Sequence, residues 1–260
     1  MSLPPVPDDF EWSTESWGPG LRCRPLSAIA PHVFTTRHMA FASRDDERDV
    51  SRAIGAESLA LARQVHGREV VVVREGAAIS GERPEADAFV SSATTVGVAV
   101  RVADCVPLLI ADRTIGVVAA VHAGWRGTAA RVAVAAVDAL TREFASRPAD
   151  LIAAIGPSIG ACCYEVGSEL VDAFAAAGHE RSLIDRWFVA TPPPRGSHQR
   201  STLRLDVAGA NRDQLVLAGV PEEQIHLSGL CTAMHLGVFT SYRVEKEKAG
   251  RLVAAIRANT

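Results

Sequence analysis

Two consecutive apolar segments in the middle of the chain restrict the folds that it can adopt. Residues 95–112 (TVGVAVRVADCVPLLIAD) and residues 114–125 (TIGVVAAVHAGW) carry small and branched apolar side chains at both odd and even positions. A strand of this kind is apolar on both of its faces, so other elements must cover both. We therefore expect a sheet with layers packed on it, as in an α/β or α+β protein.

Strands and helices alternate along much of the chain. Three helices are predicted. The first starts at Ala129 with Thr128 as its candidate N-cap, and the second covers residues 168–178. The third covers residues 206–220 with Asp206 as its candidate N-cap. Further strands are predicted at residues 68–75, 86–92, 224–229 and 250–258 and at the start of residues 151–160, which run into a glycine and proline turn. The order of the strands in a sheet cannot be read from the sequence.

We expect residues 1–260 to form a single domain, with roughly residues 1–15 as an irregular N-terminal arm. The stretch MSLPPVPDDFEW is rich in proline and acidic residues, and lacks the charged region and apolar run of an export signal. Residues 190–202 (ATPPPRGSHQRST) are predicted to be a surface loop.

Charge and cysteine content indicate a protein of the cytoplasm with no electrostatic preference for nucleic acid or for an anionic membrane. The net charge of −3 gives no electrostatic reason to expect nucleic acid or an anionic membrane as a partner. The apolar runs are interrupted before they reach the ~18 residues that a membrane span requires. The five cysteines are odd in number and no export signal precedes them, so we expect reduced thiols.

Three reactive segments lie at or near predicted strand ends. His66 precedes one strand, Asp104 and Cys105 lie inside or at a break in the long segment, and His122 ends the next strand. One thiolate and two imidazoles form a donor set that suits zinc, with a fourth position left to water in catalytic sites. The alternative is structural: a hydrogen-bonded histidine and a core cysteine. The separations of 39 and 17 residues match no compact zinc motif, so the residues meet only if strand ends converge.

The stretch GWRGT between strand and helix has two interpretations. A helix start with Arg126 beside it favours an anion such as phosphate. Alternatively, Gly124 and Gly127 only permit a tight turn, and Arg126 pairs with a carboxylate. We interpret Trp125 as packed under the turn rather than stacked on a substrate, and the adjacent Cys162 and Cys163 as packing residues. The sequence contains no P-loop or GxGxxG motif.

Six motifs, read in order, resemble those of one family. RQVHG, ADCVPLL, VHAGWRGT, IGPSIGACCYEV, LDVAGANRDQL and CT…FTSYR…GR resemble the YfiH-like family, also called multicopper polyphenol oxidase or laccase-domain proteins. The resemblance extends from about Arg63 to the C-terminus. It implies a single-domain, four-layer α/β/β/α sandwich with one zinc ion held by His66, Cys105 and His122.

The resemblance also implies an activity. Adenosine, inosine or methylthioadenosine would be cleaved by phosphate to the free base and ribose 1-phosphate, with adenosine deamination as a second activity. Candidate residues for substrate and phosphate are Arg37, Gln64, Arg126 and Arg243. Asp104 and Cys105 are the candidate catalytic residues, with Asp104 as acid–base group or as the group that orients a metal histidine.

The chain departs from the family pattern upstream of these motifs. The family carries a glycine-rich GGVS…SLNL loop after a TR dipeptide, whereas here TTRHMAFASRDDERDV retains only the arginine, Arg37. Three alternatives remain. One branch of the family is linked to a cytoplasmic zinc amidase that edits peptidoglycan precursors, and the old family name suggests a copper polyphenol oxidase. The missing loop supports only the third, a ligand-binding protein without catalysis. Copper is disfavoured because the chain has eight histidines and no H-x-H pair.

Overall fold

The computed structural model describes residues 2–76, 82–191 and 202–259, which adopt a mixed α/β fold. The strands are β1 Phe10–Glu15, β2 Gly18–Cys23, β3 His32–Thr35, β4 Ser58–Ala60, β5 Val70–Val73, β6 Ala88–Ser91, β7 Val96–Val102, β8 Val106–Asp112, β9 Val118–Ala123, β10 Leu151–Ile155, β11 Glu165–Val166, β12 Phe188–Thr191, β13 Thr202–Leu205, β14 Ile225–Leu227 and β15 Leu252–Arg257. The α-helices are α1 Arg24–Ser27, α2 Arg44–Ala53, α3 Trp125–Ala129, α4 Val132–Phe144, α5 Ser168–Ala176, α6 Arg181–Trp187, α7 Val207–Leu217 and α8 Tyr242–Glu245.

Two six-stranded sheets contain most of the strands. The first has the order β1-β2-β3-β15-β7-β4 and the second has the order β14-β10-β8-β9-β6-β5, while β11, β13 and β12 form a small third sheet. The segment predicted as one long extended stretch, residues 95–112, is divided between the two large sheets, because β7 belongs to the first and β8 to the second. Asp104 and Cys105 therefore lie where the backbone crosses from one sheet to the other.

Apolar side chains cover both faces of these central strands, as the sequence predicted. Leu109 of β8 and Val100 of β7 pack into one cluster between the two large sheets. On its other face β8 directs Leu108 into a second cluster with α4 and α7. On its other face β7 directs Ala99 into a third cluster with Ile54, which follows α2. The central strands are therefore rigid supports for the residues at their ends.

Two local expectations were wrong. Residues 10–15, expected in an irregular arm, form β1, which pairs antiparallel with β2. The reason is that Phe10 is buried in the cluster between the sheets. Thr128 does not cap a helix, since a helical turn already begins at Trp125 and Arg131, with a φ of 62°, separates it from α4. The Thr128 hydroxyl instead accepts a hydrogen bond from Asn211.

Other predicted elements are found in place. Asp206 caps α7, where its carboxylate accepts the Gly209 backbone N–H at 2.9 Å. The predicted loop at 190–202 lies mostly outside the described residues, and its ends belong to β12 and β13. No helix in the described ranges combines the length and the apolar character needed to cross a membrane.

A glycine at the contact between the two large sheets gives a stability prediction. Gly156 follows β10, and a Cβ there would overlap the ring of Phe34 in β3 and lie 3.0 Å from Pro107 Cγ. We expect Gly156→Ala to lower the free energy of unfolding by about 1–3 kcal/mol because the buried ring must shift. Gly250→Ala is the control, since its Cβ would find its nearest atom, Thr240 Oγ1, at 4.0 Å. Equal midpoints of denaturant unfolding for the two variants would refute this packing.

Candidate metal centre

Three predicted ligands, His66, Cys105 and His122, form one cluster. Their ligand atoms all lie within 4.8 Å of one another. Cys105 immediately precedes β8 and His122 lies near the end of β9, and these strands pair antiparallel with Val106 opposite Ala123. The sequence separation therefore becomes adjacency at one end of the second sheet. His66 reaches the same point from the loop before β5, so the strand ends converge as the zinc interpretation required.

One carboxylate, that of Asp87, holds two of these ligands in place. Asp87 Oδ1 lies 2.8 Å from His122 Nδ1, which must carry the proton because a carboxylate only accepts. The same carboxylate accepts the backbone N–H groups of His66 at 2.9 Å and Gly67 at 2.6 Å. This arrangement leaves His122 Nε2 for the cluster, and it is the usual way in which a second ligand shell orients a metal histidine.

Asp104 was the carboxylate expected from sequence to orient a metal histidine, but the partner of His122 is Asp87, which the sequence did not single out. Asp104 is buried, and its two carboxylate oxygens accept hydrogen bonds from the Thr232 hydroxyl and the Arg243 backbone N–H, each at 2.6 Å. Its carbonyl oxygen accepts the Ile159 N–H at 2.9 Å. Asp104 therefore fastens three segments together beside the cluster. Asp87 had one sequence signal, a lone carboxylate at the start of an apolar strand.

Without a metal, the cluster favours a Cys105 thiolate beside a protonated His122, so a bound metal ion would replace the proton on His122 Nε2. Burial raises the pKa of the Cys105 thiol, but His122 and His66 beside the sulfur outweigh burial and lower that pKa to about 6. Burial lowers the pKa of His122, but its hydrogen bonds to Asp87 and Cys105 outweigh burial and raise it to about 9. A thiolate is the form of cysteine that binds metals. His66 is exposed, so the cluster opens to solvent on its side.

Backbone geometry beside the cluster is unusual for side-chain-bearing residues. His66 and Asp104 have φ angles of 60° and 86°, a region that costs of order 1–3 kcal/mol and that concentrates at functional sites. Gly124, part of the GWRGT turn, touches the ligands directly: a Cβ there would lie 2.9 Å from Cys105 Sγ and 3.1 Å from His66 Cδ2. The glycine therefore gives the sulfur and the imidazole the room to approach each other.

Two cavities share residues of the cluster. The basic cavity, about 480 Å³, is lined by the three cluster residues together with Arg63, Gln64, Arg101, Arg251 and Tyr242. The aromatic cavity, about 300 Å³, is lined by His66 and Cys105 together with Trp125, Tyr164, Tyr242, Asp104, Arg126 and Arg243. His66, Cys105 and Tyr242 belong to both, so the cluster lies where the cavities adjoin.

Arg126 and Arg243, predicted for phosphate, line the aromatic cavity. The Arg126 guanidinium lies 4.3 Å from the centre of the Trp125 ring, and the Arg243 guanidinium lies 5.1 Å from the centre of the Tyr164 ring. The Trp125 indole is half-buried against the cluster around α4, close to the packed position expected for it. The same side chain also lines the aromatic cavity.

Arg37 and Gln64 are placed differently from the expectation. Arg37 lines neither cavity; its guanidinium pairs with Glu245 at 3.1 Å and donates to the Leu236 carbonyl. Gln64 lines the basic cavity, but its amide donates to the Arg101 carbonyl at 2.7 Å and accepts the Arg101 N–H at 2.9 Å. Gln64 therefore fixes the cavity wall, and its contact with substrate stays a prediction.

Arg101 and Arg251 also line the basic cavity, although their sequence context did not single them out. Burial and the positive charges of Arg83 and Arg251 lower the pKa of Arg101. Adjacent cations without full compensation attract an anion. The two arginines are 150 positions apart, and β7 and β15 bring them together by pairing Arg101 with Val253.

Comparisons with known proteins place this chain in a family and identify its relatives. The model of the multi-copper polyphenol oxidoreductase laccase family matches residues 31–259. Purine nucleoside phosphorylase YlmD of Geobacillus stearothermophilus is 33% identical, covering 96% of this chain and 97% of that protein. Adenosine deaminase RL5, from an unknown prokaryotic organism, is 36% identical over 78% of this chain and 76% of that protein. The crystal structure of hypothetical protein YfiH from Bacillus licheniformis superimposes with a TM-score of 0.81 at 26% identity, covering 97% of this chain and 100% of that one.

Proposed function

The chain belongs to the multi-copper polyphenol oxidoreductase laccase family, and we propose that it is a zinc-dependent purine nucleoside phosphorylase. Phosphate would attack the anomeric carbon of adenosine, inosine or methylthioadenosine, and the C–N bond to the base would break to give free purine and the sugar 1-phosphate. The observation that carries the proposal is the His66–Cys105–His122 cluster where a basic and an aromatic cavity adjoin. The proposal is supported by a relative named purine nucleoside phosphorylase that aligns with this chain over nearly the whole length of both.

The proposed enzyme has the four-layer α/β/β/α architecture that the family resemblance implies, and it works in the cytoplasm. The order of the apolar clusters supports the layers: helices against the second sheet, the second sheet against the first, and α2 against the first sheet.

His66, Cys105 and His122 would hold the zinc. The fit rests on a thiolate with a lowered pKa, on two imidazoles and on Gly124, which leaves room for the ligands. When bound, zinc supplies Lewis-acid polarisation of a substrate atom. Asp87 keeps the Nδ1 proton of His122 in place, so Nε2 stays available as a ligand.

The two cavities divide the substrates between them in this proposal. The aromatic cavity offers the rings of Trp125, Tyr164 and Tyr242 to a purine, and flat aromatic surfaces suit a planar base. The basic cavity offers Arg101 and Arg251 to phosphate, and arginine is well suited to bind it through paired hydrogen bonds. The anomeric carbon would then lie between the two, beside the metal cluster.

This division revises the phosphate assignment made from sequence. Arg37 lies outside both cavities, and Arg126 and Arg243 are proposed to line the nucleoside side instead. Asp104 remains the proposed acid–base group, because it lines the cavity in which the departing purine must be protonated.

Arg101→Met is expected to raise the KM for phosphate at least about 10-fold, because an ionic hydrogen bond contributes roughly 1.5–3 kcal/mol. The KM for the nucleoside is expected to change little. Arg48→Met, at an exposed position of α2, is the control and should leave both constants unchanged. An equal rise in both KM values for Arg101→Met would contradict the division of the cavities.

Product analysis tests the proposed function. The zinc-loaded protein is incubated with adenosine, inosine and methylthioadenosine, each with and without phosphate, and the products are separated by chromatography. We expect free base only when phosphate is present. Inosine formed from adenosine without phosphate would add deamination, which the similarity to an adenosine deaminase favours as a second activity. No free base in any mixture would refute the proposal and favour the amidase alternative.

A further inference from the structure

A second group of metal-ligating side chains lies outside the two cavities. The sulfur atoms of Cys162, Cys163 and Cys231 lie within 4.8 Å of one another, and we call this group the three-thiol cluster. Cys162 is exposed, Cys163 is half-buried and Cys231 is buried. The exposure of Cys162 does not fit the packing role assigned from sequence, so its thiol needs another explanation.

The spacing of the sulfur atoms suits a single ion. Metal–sulfur bonds of ~2.3 Å hold two ligand sulfurs about 3.8 Å apart in a tetrahedral site and about 4.0 Å apart in a planar site with three ligands. Cys162 Sγ and Cys163 Sγ are 3.6 Å apart, and the third sulfur lies within 4.8 Å of both. Small side-chain rotations are therefore enough to bring all three to bonding distance.

The backbone around the three-thiol cluster is built for close approach. The Gly160 N–H donates to Cys231 Sγ at 3.2 Å, so a backbone donor faces the buried sulfur of the cluster. A Cβ on Gly160 would lie 3.3 Å from Cys162 Sγ and 3.3 Å from Cys231 Cβ, partly filling the space between the thiols. Gly160 therefore donates a hydrogen bond to Cys231 and leaves space between the thiols.

Two separate segments meet at the three-thiol cluster and are held together by main-chain contacts. The Ser158 N–H donates to the Leu230 carbonyl at 3.2 Å, and the Thr232 N–H donates to the Ser158 carbonyl at 3.0 Å. The Gly160 carbonyl accepts the N–H groups of Cys163 and Tyr164 at 2.9 and 3.0 Å, which closes the turn that carries both adjacent cysteines. The meeting of the three thiols is therefore a fixed feature of the fold.

We propose that the three-thiol cluster binds one thiophilic metal ion, and that this ion is Cu(I). Thiolate ligands select soft ions, whereas zinc prefers four ligands and is better matched by the mixed nitrogen and sulfur donors of the other cluster. Within the described residues the group contains three sulfur donors and no imidazole or carboxylate. Binding replaces the thiol protons by the ion and requires no change of oxidation state.

The test measures metal binding in the absence of turnover, so its result does not depend on the proposed function. Reduced, metal-free Cys105→Ala protein, which lacks the thiol of the first cluster, is titrated anaerobically with Cu(I) against a chromophoric Cu(I) chelator. We expect one equivalent to bind. Adding Cys162→Ser, a change at an exposed thiol, should weaken Cu(I) binding at least tenfold, and adding Cys23→Ala should leave it unchanged.

Thermal unfolding of the metal-free variants checks that each is folded. Cu(I) binding that is equally tight with and without Cys162→Ser would overturn the proposal. So would failure of Cys105→Ala to withdraw Cu(I) from the chelator. Retention of zinc by this cluster, with no Cu(I) bound, would refute the assignment of the ion.

Discussion

Cys105→Ala is expected to remove one equivalent of zinc and to abolish phosphorolysis. Cys105 contributes the sulfur of the His66–Cys105–His122 cluster, and its lowered pKa makes it the anionic ligand at neutral pH. Without it two imidazoles remain, one of them exposed, which is too few ligands for a stable catalytic zinc site. Because a catalytic metal contributes several kcal/mol of charge stabilisation, we expect kcat/KM to fall by about 10³-fold or more.

Metal analysis and phosphorolysis rates on the same samples measure this effect. Cys23→Ala is the matched control, because Cys23 is a fully buried thiol in β2 of the first sheet. It should keep its zinc and its turnover. Full phosphorolysis by Cys105→Ala would show that the reaction does not use this metal centre.

Asp87→Asn is expected to weaken zinc binding about 10–100-fold, the usual effect of losing a carboxylate that orients a metal histidine. The asparagine oxygen, in the Oδ2 position, can still accept the backbone N–H of Gly67. Its amide N–H₂ facing His122 Nδ1 would instead favour the tautomer that carries the proton on Nε2, the atom needed by the metal. Zinc competition with a chromophoric chelator measures the loss.

Two companion variants separate orientation from folding. Asp87→Ala leaves the backbone donors without an acceptor, so the metal-free protein should lose more unfolding free energy than Asp87→Asn does. Asp104→Asn alters a carboxylate that contacts Thr232 and Arg243 rather than a metal ligand. It should keep zinc affinity within a few-fold while lowering kcat. Equal zinc loss in Asp104→Asn and Asp87→Asn would contradict the roles assigned to the two carboxylates.

The three residues proposed as metal ligands could be predicted from the sequence because each lies in, or near the end of, an apolar segment. His66, Cys105 and His122 stand out as reactive groups next to buried strands. Asp87 could not be assigned in the same way. Its contact with His122 depends on the antiparallel pairing of β6 with β9, which sets Ala88 opposite Val121. The pairing of two strands cannot be predicted from the local sequence pattern of either strand.

The same limit applies to the cavities and the sheets. Arg101 and Arg251 meet because β7 pairs with β15, and the strand order that creates this contact was not readable. The segment around Asp104 looked like one apolar strand with a break, and nothing in its pattern indicated that the halves join different sheets. The early helical turn at Trp125 was hidden because Arg131, in a left-handed conformation, interrupts the helical periodicity.

The stoichiometry of inosine cleavage tests the central claim most directly. Zinc-loaded wild-type protein and Cys105→Ala protein are incubated with inosine and phosphate, and hypoxanthine and ribose 1-phosphate are quantified in the same sample. The proposed phosphorylase should yield the two products in a one-to-one ratio with the wild type, and neither with the variant. Hypoxanthine without ribose 1-phosphate, or equal yields from both proteins, would contradict phosphorolysis at the His66–Cys105–His122 cluster.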